Sequence, residues 1–483
     1  MMSNNTLFKR FMEYAVGSGI VLLLGFVSSP INTRLFTPEE FGKFSLFQLI
    51  TNIISTIILL GLEQSFARFF YEEQESNRPK LLRESIKIPL LACTLVTVPI
   101  VIFSEFLLGT FFSTYSIELL ILILLNNYIF LFSKFAFLVV RMQQRGKSYS
   151  TLQISQKLST VLFTILFFTV MNNNFIVLIY ATVIANIMVT IIGIFIGRKF
   201  WLDKIDTQLK TNRKELVFYG FPLMFTFLIT WLFQSGDRIF ITYFHGYEEL
   251  GVYAAAFSIV SLISAVQVAF TTFWVPVAFE KYEQNPNDNV FFENISRLVA
   301  FVMLFIGIIL IIFKDIIVLI LGEEYRQVSY IMPFLIFMPI MYTVSETTVM
   351  GINFKKKSKY HIRIAVACAI FNIISNIVLV PTLAAKGSAI STAISYILFF
   401  TLRTIYSKRF YPTNYGLKKF YLSTIGLIIF AFYASFKDFN VTFVILGLAN
   451  LILVIVLYVN DVVNFIPEKL KTKIQKRIAI LRR

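Results

Sequence analysis

The segment Arg34-Leu35-Phe36-Thr37-Pro38-Glu39-Glu40-Phe41-Gly42 joins two apolar runs, and part of it is repeated about two hundred residues later. The second copy places Asp237-Arg238 before Glu248-Glu249-Leu250-Gly251-Val252-Tyr253, so the pattern Glu-Glu-apolar-Gly-x-aromatic occurs twice. An aromatic residue precedes each arginine by about twenty positions, Tyr14 in one copy and Tyr219 in the other. These shared positions indicate an internal duplication.

The composition is that of a protein embedded in lipid. Hydrophobic residues make up 57% of the 483 residues, charged residues only 15%, and the mean hydropathy is +0.75. These values lie well outside the range of soluble domains. The net charge of +17 therefore does not predict binding to nucleic acid, and it poses the question of which membrane side carries the Lys and Arg.

Apolar runs of about twenty residues predict fourteen transmembrane helices. They lie near 12–36, 41–62, 86–109, 117–140, 150–171, 174–197, 217–244, 250–279, 295–313, 329–352, 361–381, 386–406, 419–436 and 441–459. Most of the 44 Lys and Arg fall in alternate loops and in the two tails. The excess of cations on one side predicts that both termini are cytoplasmic in a multi-pass protein of the cytoplasmic membrane.

The duplication also predicts the domain organisation. Several marker residues share an offset of about 210 residues, among them Tyr149 with Tyr360 and Phe200 with Phe410. We therefore predict an N-lobe over 1–200 with helices 1–6, a C-lobe over 201–410 with helices 7–12, and two further helices with a basic tail over 411–483. An even number of helices in each half keeps the two repeats parallel, as in transporters whose substrate passes between two bundles.

The first motif has a structural explanation as well. Thr37 as N-cap, Pro38 at the first helical position and an acidic residue at the third position predict a capping box that starts helix 2. Gly42 and Gly251 are expected to let helices pack closely.

Four ionisable residues in apolar helices are candidates for binding a substrate: Arg34, Lys134, Arg238 and Glu346. Charges at membrane depth usually face a cavity or a partner. Lys134 and Glu346 are separated by nearly the repeat offset, which places opposite charges at matching depth in the two halves. One interpretation is a polar cleft that binds an anionic group. The alternatives are a buried ion pair, or long side chains that reach the membrane surface.

Signatures of enzymes are missing from the sequence. His245 and His361 are far apart and have no Cys or acidic residue at ligand spacing, so we predict no metal site. A phosphate-binding G-x-x-x-x-G-K loop and a paired-carboxylate motif are also missing. We therefore predict a protein that is not an enzyme and has no cofactor, apart from coupling to Na⁺ or H⁺.

Four motifs together resemble the bacterial polysaccharide flippases of the Wzx type, in the superfamily that also contains the lipid II flippase and the MATE drug exporters. They are the Arg34–Gly42 segment, Gly61-Leu62 with Arg68-Phe69-Phe70, Tyr219-Gly220-Phe221-Pro222-Leu223, and Asp237-Arg238 with Leu250-Gly251-Val252-Tyr253. The resemblance implies a two-lobed, V-shaped transporter. It would move undecaprenyl-pyrophosphate-linked oligosaccharide from the inner to the outer leaflet by alternating access, with polysaccharide polymerase or chain-length machinery and membrane lipids as partners.

Other functions fit parts of the same pattern. A drug/cation antiporter of this superfamily would be expected to have an acidic and aromatic cavity. A membrane-embedded polysaccharide polymerase would be expected to have a long external loop with catalytic Arg or His, which the sequence lacks. A sporulation or scaffold relative that does not transport is a third alternative.

A cation site is predicted in the second half from Asp237, Asn372, Asn376 and Thr392. At 1.5 Å per residue, Asp237, Asn376 and Thr392 lie at a similar depth of roughly 7–11 Å from the outer helix ends, with Asn372 one turn deeper. Carboxylate, amide and hydroxyl oxygens suit Na⁺ or proton-coupled chemistry. The set resembles the sodium site of the lipid II flippase, but Asn376 stands where that site has a second carboxylate. The alternative is that Asp237 pairs with an arginine and the asparagines bridge helices.

Overall fold

A computed structural model of the chain describes residues 4–171, 173–203 and 209–463, with side chains of the first helix described at Gly17 and from Gly19 onward. Within these ranges, all regular secondary structure is helical, which confirms the predicted all-α class. The chain divides into two compact units. Unit 1 comprises Met1–Leu262 with Leu321–Tyr325, and unit 2 comprises Ile263–Ile320 with Arg326–Arg483. The lobe boundaries at residues 200 and 410 stay a prediction.

In its described residues, unit 1 contains ten complete α-helices and the start of an eleventh. They are α1 (Asn4–Leu35), α2 (Pro38–Leu59), α3 (Leu62–Phe69), α4 (Arg78–Ile102), α5 (Ser104–Phe112), α6 (Ile117–Met142), α7 (Gly146–Val170), α8 (Phe175–Ile196), α9 (Arg198–Leu202) and α10 (Arg213–Ser235). The next helix, α11 (Asp237–Gln284), begins in unit 1 and ends in unit 2. It consists of two helical segments, because Gly246 has a φ of 80°, which glycine adopts without steric cost.

Up to residue 463, where the described part of the chain ends, unit 2 contains the end of α11 and eight further α-helices. They are α12 (Asn289–Ile312), α13 (Lys314–Val318), α14 (Val328–Leu335), α15 (Phe337–Thr348), α16 (Met350–Phe354), α17 (Lys359–Phe410), α18 (Leu417–Phe436) and α19 (Val441–Val463). The 52-residue helix α17 also has two segments, which meet at Ala384, where φ is 51°.

The described helices suit a membrane. Twelve candidate spans are long and apolar enough to cross a bilayer, and the apolar part of α1, Gly19–Leu35, is shorter. Large apolar side chains are exposed on outer faces, such as Leu91 in α4 and Val170 in α7. Such exposure is expected where the solvent is lipid. The chain is thus a polytopic helical protein, and the count of fourteen crossings stays a prediction.

The start of α2 confirms half of the predicted capping box and corrects the other half. Thr37 is the N-cap, its hydroxyl accepts a hydrogen bond from the Glu40 backbone N–H, and Pro38 occupies the first turn. The Glu40 carboxylate does not return to its own N-cap. It accepts a hydrogen bond of 2.5 Å from the backbone N–H of Phe175, the first residue of α8. A carboxylate there satisfies a free N–H group and favourably meets the positive end of the helix dipole.

Gly42 and Gly251 confirm the predicted close helix packing in unit 1. A Cβ atom on Gly42 would lie 1.8 Å from the carbonyl oxygen of Tyr247, and one on Gly251 would lie 1.8 Å from that of Pro38. A side chain of any size at either position would therefore force α2 away from the second segment of α11.

A short segment from later in the chain completes unit 1. The Tyr325 hydroxyl donates to the carbonyl oxygen of Phe36 at 2.9 Å, and the Gly322 backbone N–H donates to the Thr33 hydroxyl at 3.3 Å. Burial raises the pKa of the Tyr325 phenol, so the group stays protonated and remains a donor. The segment Leu321–Tyr325 therefore holds the junction between α1 and α2.

Candidate functional site

A polar cavity of about 520 Å³ lies within unit 1. It is bounded by α1, α2, α7, α8 and the part of α11 that belongs to this unit. Its polar lining residues are Ser28, Ser29, Asn32, Gln48, Gln153, Gln156, Lys157, Thr160, Thr164, Thr182, Ser258 and Ser261. No Asp or Glu is among the described residues that line it. The volume lies within the usual range of small-molecule sites, roughly 300–1,000 Å³.

Lys157 gives this cavity its charge. It lies eleven residues after the start of α7, which corresponds to a depth of roughly 16 Å along the helix. The side chain is half-buried, and its Cε atom would lie 3.7 Å from a Cβ atom on Gly25 of α1. Within the described part of the chain, no carboxylate forms an ion pair with Lys157. A cation at this depth without a carboxylate partner is an attractive contact for an anion.

Two other polar groups at the cavity also lack partners in the described part of the chain. The buried Ser29 Oγ and the buried Gln153 Oε1 accept or donate no hydrogen bond. Gln156, by contrast, donates to the Asn186 amide oxygen at 2.6 Å. Buried polar atoms without partners are costly, so these groups are suited to a hydrated or polar occupant.

Arg238 lies behind one wall of the cavity. Its guanidinium carbon is 5.1 Å from the centre of the Phe257 ring, and Phe257 lines the cavity. The Arg238 Nε is buried without a hydrogen-bond partner. Asp237 accepts hydrogen bonds from the Tyr253 hydroxyl and from the Arg238 backbone N–H. The Arg238 guanidinium is therefore a cation stacked on a residue of the cavity wall.

The other two predicted cations of unit 1 do not line this cavity. Arg34 is exposed near the end of α1, and Lys134 is exposed on α6. Lys134 acts on Glu63 of α3. Burial raises the pKa of the Glu63 carboxyl, and this increase is partly offset by a backbone hydrogen bond and by the positive charge of Lys134. The structure thus brings Arg238 to the cavity wall and leaves Arg34 and Lys134 outside its lining.

Glu346 lies in unit 2 as one half of a buried ion pair. Its Oε1 is 2.8 Å from Nη1 of Arg403, and each side chain is 8% exposed. Arg403 also donates to the Ser345 hydroxyl at 2.6 Å, and its guanidinium stacks on Phe399. This geometry is that of a buried ion pair, the alternative to a substrate contact at Glu346. The role of Glu346 in binding a substrate stays a prediction.

The asparagines of the predicted cation site bridge the two segments of α17. The Asn376 amide nitrogen donates to Ser391 Oγ at 3.0 Å, and its amide oxygen accepts from Ser388 Oγ at 2.8 Å. The Asn372 amide donates to Ser395 Oγ at 3.2 Å. Thr392 is buried in the second segment of α17, which also carries Ser391 and Ser395. These bonds show that the asparagines bridge helical segments, which is the alternative to a cation site, and the cation site itself stays a prediction.

Comparison with known proteins decides the family. The family model described as "Polysaccharide biosynthesis protein" matches residues 7–282, which is more than half of the chain. The chain belongs to this family. A relative is the "Probable low-salt glycan biosynthesis flippase Agl15" of Haloferax volcanii, 22% identical over 88% of this chain and 87% of that protein.

Solved structures show that this member of the polysaccharide biosynthesis protein family has the fold of the MOP superfamily. The structure titled "Lipid II flippase MurJ, inward closed conformation" has a TM-score of 0.70 at 16% identity and covers 92% of this chain and 97% of its own. An inward-facing multidrug resistance MATE family transporter has a TM-score of 0.62 at 14% identity and covers 80% of this chain and 94% of its own. At these identities the likeness is one of fold, and it agrees with the all-α membrane architecture described above.

Two charged residues described above, Lys157 and Arg403, are not among the candidates named from the sequence. Their depth was visible in the sequence, because Lys157 lies inside the predicted helix 150–171 and Arg403 inside the predicted helix 386–406. Their surroundings were not, since these depend on which neighbouring helix faces them.

Proposed function

We propose that the protein is a flippase that moves an undecaprenyl-pyrophosphate-linked oligosaccharide from the inner to the outer leaflet of the cytoplasmic membrane. The transport would proceed by alternating access, with both termini cytoplasmic, and would supply cell-surface polysaccharide synthesis together with a polymerase or chain-length partner. The membership of the polysaccharide biosynthesis family and the flippase name of the relative Agl15 support this proposal.

The observation that carries the proposal is the charge of the unit 1 cavity. Lys157 lines it without a carboxylate partner, and no Asp or Glu belongs to its described lining. A pyrophosphate is an anion that cannot cross hydrocarbon unaided, and a charge-assisted hydrogen bond to it is worth about 1.5–3 kcal/mol. A cation antiporter would instead require acidic groups in its cavity. The polar lining provides further donors for sugar hydroxyls.

The test removes the charge from the cavity. Lys157→Gln is expected to lower export of the lipid-linked glycan by roughly ten- to a hundredfold, the factor that corresponds to this interaction energy. Lys157→Arg should keep much of the activity. The matched control is Lys147→Gln, which removes a lysine from the first turn of the same helix at an exposed position outside the cavity. Wild-type export by Lys157→Gln at equal membrane levels would refute the proposal.

A further inference from the structure

A second, larger cavity of about 1,080 Å³ lies in unit 1 and shares no lining residue with the first. Its walls come from the segment 70–79, from the turn 142–145 between α6 and α7, and from the end of α8 with α9. These segments lie at helix ends that the excess of Lys and Arg assigns to the cytoplasmic side.

Cations outnumber acidic residues in this second cavity, whose charged lining residues are Arg78, Arg145, Arg198, Lys199, Glu75 and Asp203. Arg145, Arg198 and Lys199 line it, and within the described ranges none of the three forms an ion pair with a carboxylate. Arg145 donates to the carbonyl oxygen of Ile196 at 3.1 Å, which fixes the guanidinium beside the end of α8. A fourth cation of the lining is already neutralised, because Arg78 lies 3.3 Å from Glu75. The free charges therefore suit a ligand with phosphate oxygens.

The walls are connected by hydrogen bonds, so the cavity is formed before any ligand arrives. The Tyr71 hydroxyl donates to the carbonyl oxygen of Met142 at 2.6 Å and accepts from the Gln144 amide at 3.2 Å. Arg78 donates to the carbonyl oxygen of Phe70 at 2.9 Å and stacks over its ring at 4.6 Å. A preformed site loses less conformational entropy on binding.

Apolar side chains border the cavity on the side of α8. Phe195 is 67% exposed and lines the cavity, and Ile191 one turn earlier is 62% exposed. Leu202 of α9 is 72% exposed. A soluble anion would not contact this apolar surface. A phospholipid would contact it, because its acyl chains extend from the phosphate along an apolar helix face.

We propose that this cavity binds the headgroup of an anionic phospholipid, with its phosphate at Arg145, Arg198 and Lys199 and its acyl chains along the exposed face of α8. Anionic lipids of the cytoplasmic leaflet are attracted by basic side chains, and basic pockets at this side of membrane proteins bind such headgroups. The site is independent of the cavity at Lys157 and of the transported substrate.

The experiment measures thermal unfolding of the full chain in phosphatidylcholine nanodiscs with and without phosphatidylglycerol. Phosphatidylglycerol is expected to raise the Tm of the wild type by a few degrees, since a ligand that binds the folded state stabilises it. Arg198→Gln/Lys199→Gln should lose most of this shift. Both side chains are exposed, so the variant should fold. Arg145→Gln provides a second variant at the same phosphate position.

The matched control is Lys408→Gln/Arg409→Gln, which removes two exposed cations from the end of α17 in unit 2. It should retain the wild-type shift. Equal shifts in the cavity variants and the wild type, or an equal loss in the control, would overturn the proposal. Inorganic pyrophosphate added to phosphatidylcholine nanodiscs is expected to have no effect. If it stabilised the protein as much as phosphatidylglycerol does, the ligand would be a soluble phosphate and the lipid assignment would be wrong.

Discussion

Gly42 and Gly251 form a reciprocal contact in which each glycine lies against the backbone of the other's helix. Gly42 meets the carbonyl oxygen of Tyr247, four residues before Gly251, and Gly251 meets that of Pro38, four residues before Gly42. The duplicated motif therefore contacts its own copy with matching positions. The backbone nitrogens are equally close, since a Cβ on either glycine would lie 3.0 Å from the other's nitrogen.

The first prediction concerns this contact. Gly42→Ala and Gly251→Ala should each slow glycan export several-fold, because the added methyl group prevents α2 and α11 from meeting, at a cost of about 1–3 kcal/mol. Gly109→Ala is the control, since nothing lies within 4 Å of a Cβ there. Export is measured at equal membrane levels. Unchanged export in the double variant would show that transport does not depend on the contact.

A second prediction concerns the three cations named from the sequence. Arg34→Ala, Lys134→Ala and Arg238→Ala should each reduce export while the protein still reaches the membrane. Arg238→Ala should have the largest effect, because Arg238 stacks on a wall of the Lys157 cavity, whereas Arg34 and Lys134 lie outside its lining. Full export by the triple variant would contradict the idea that these residues help to bind an anion.

The buried pair of Glu346 and Arg403 allows a third prediction. Glu346→Gln or Arg403→Met alone should lower the free energy of unfolding by about 3–5 kcal/mol, because a charge is left buried without its partner. The double variant should recover much of this loss. Thermal unfolding of the purified variants measures both effects. A stable double variant that cannot export would point to a direct role of the pair in transport.

The fourth prediction concerns the coupling of export to Na⁺ or H⁺ through the Asp237 carboxylate. If export in the wild type depends on Na⁺ or on pH through this carboxylate, Asp237→Asn should abolish that dependence. The measurement is export at varied Na⁺ and pH in both proteins, with Tyr253→Phe as a variant that removes the hydroxyl bonded to Asp237 but keeps the carboxylate. Dependence retained in Asp237→Asn, or lacking in the wild type, would exclude coupling at this site.

The last prediction is the topology. Cysteines introduced at Asn173 or Lys437 should react with impermeant thiol reagents from outside, and cysteines at Lys147 or Lys357 should not. All four positions are exposed. The native Cys93 and Cys368 are buried, so background labelling should be low. Reaction from outside at both Lys147 and Lys357 would reverse the proposed orientation.

Much of the fold could be predicted from the sequence because hydrophobic runs report membrane helices directly. The Thr37 cap was predictable because it depends on local spacing, and the close packing at Gly42 and Gly251 because glycine lets helices approach each other. The Glu40 bond to Phe175 could not be predicted, because it joins residues far apart in the chain. The position of Lys157 in a cavity could not be predicted either, because that cavity is formed by five helices from different parts of the sequence. The distribution of cations between the two membrane sides does not show which helices are neighbours.

The bonds from Tyr325 and Gly322 to the junction of α1 and α2 have a consequence for the order of synthesis. The ribosome must translate past residue 325 before unit 1 has all of its parts, although most of that unit is finished by Leu262. Until then the carbonyl oxygen of Phe36 lacks its buried donor. The first half of the protein is therefore expected to reach its final packing only after α12 has entered the membrane, and a fragment that ends at Leu262 should lack that packing.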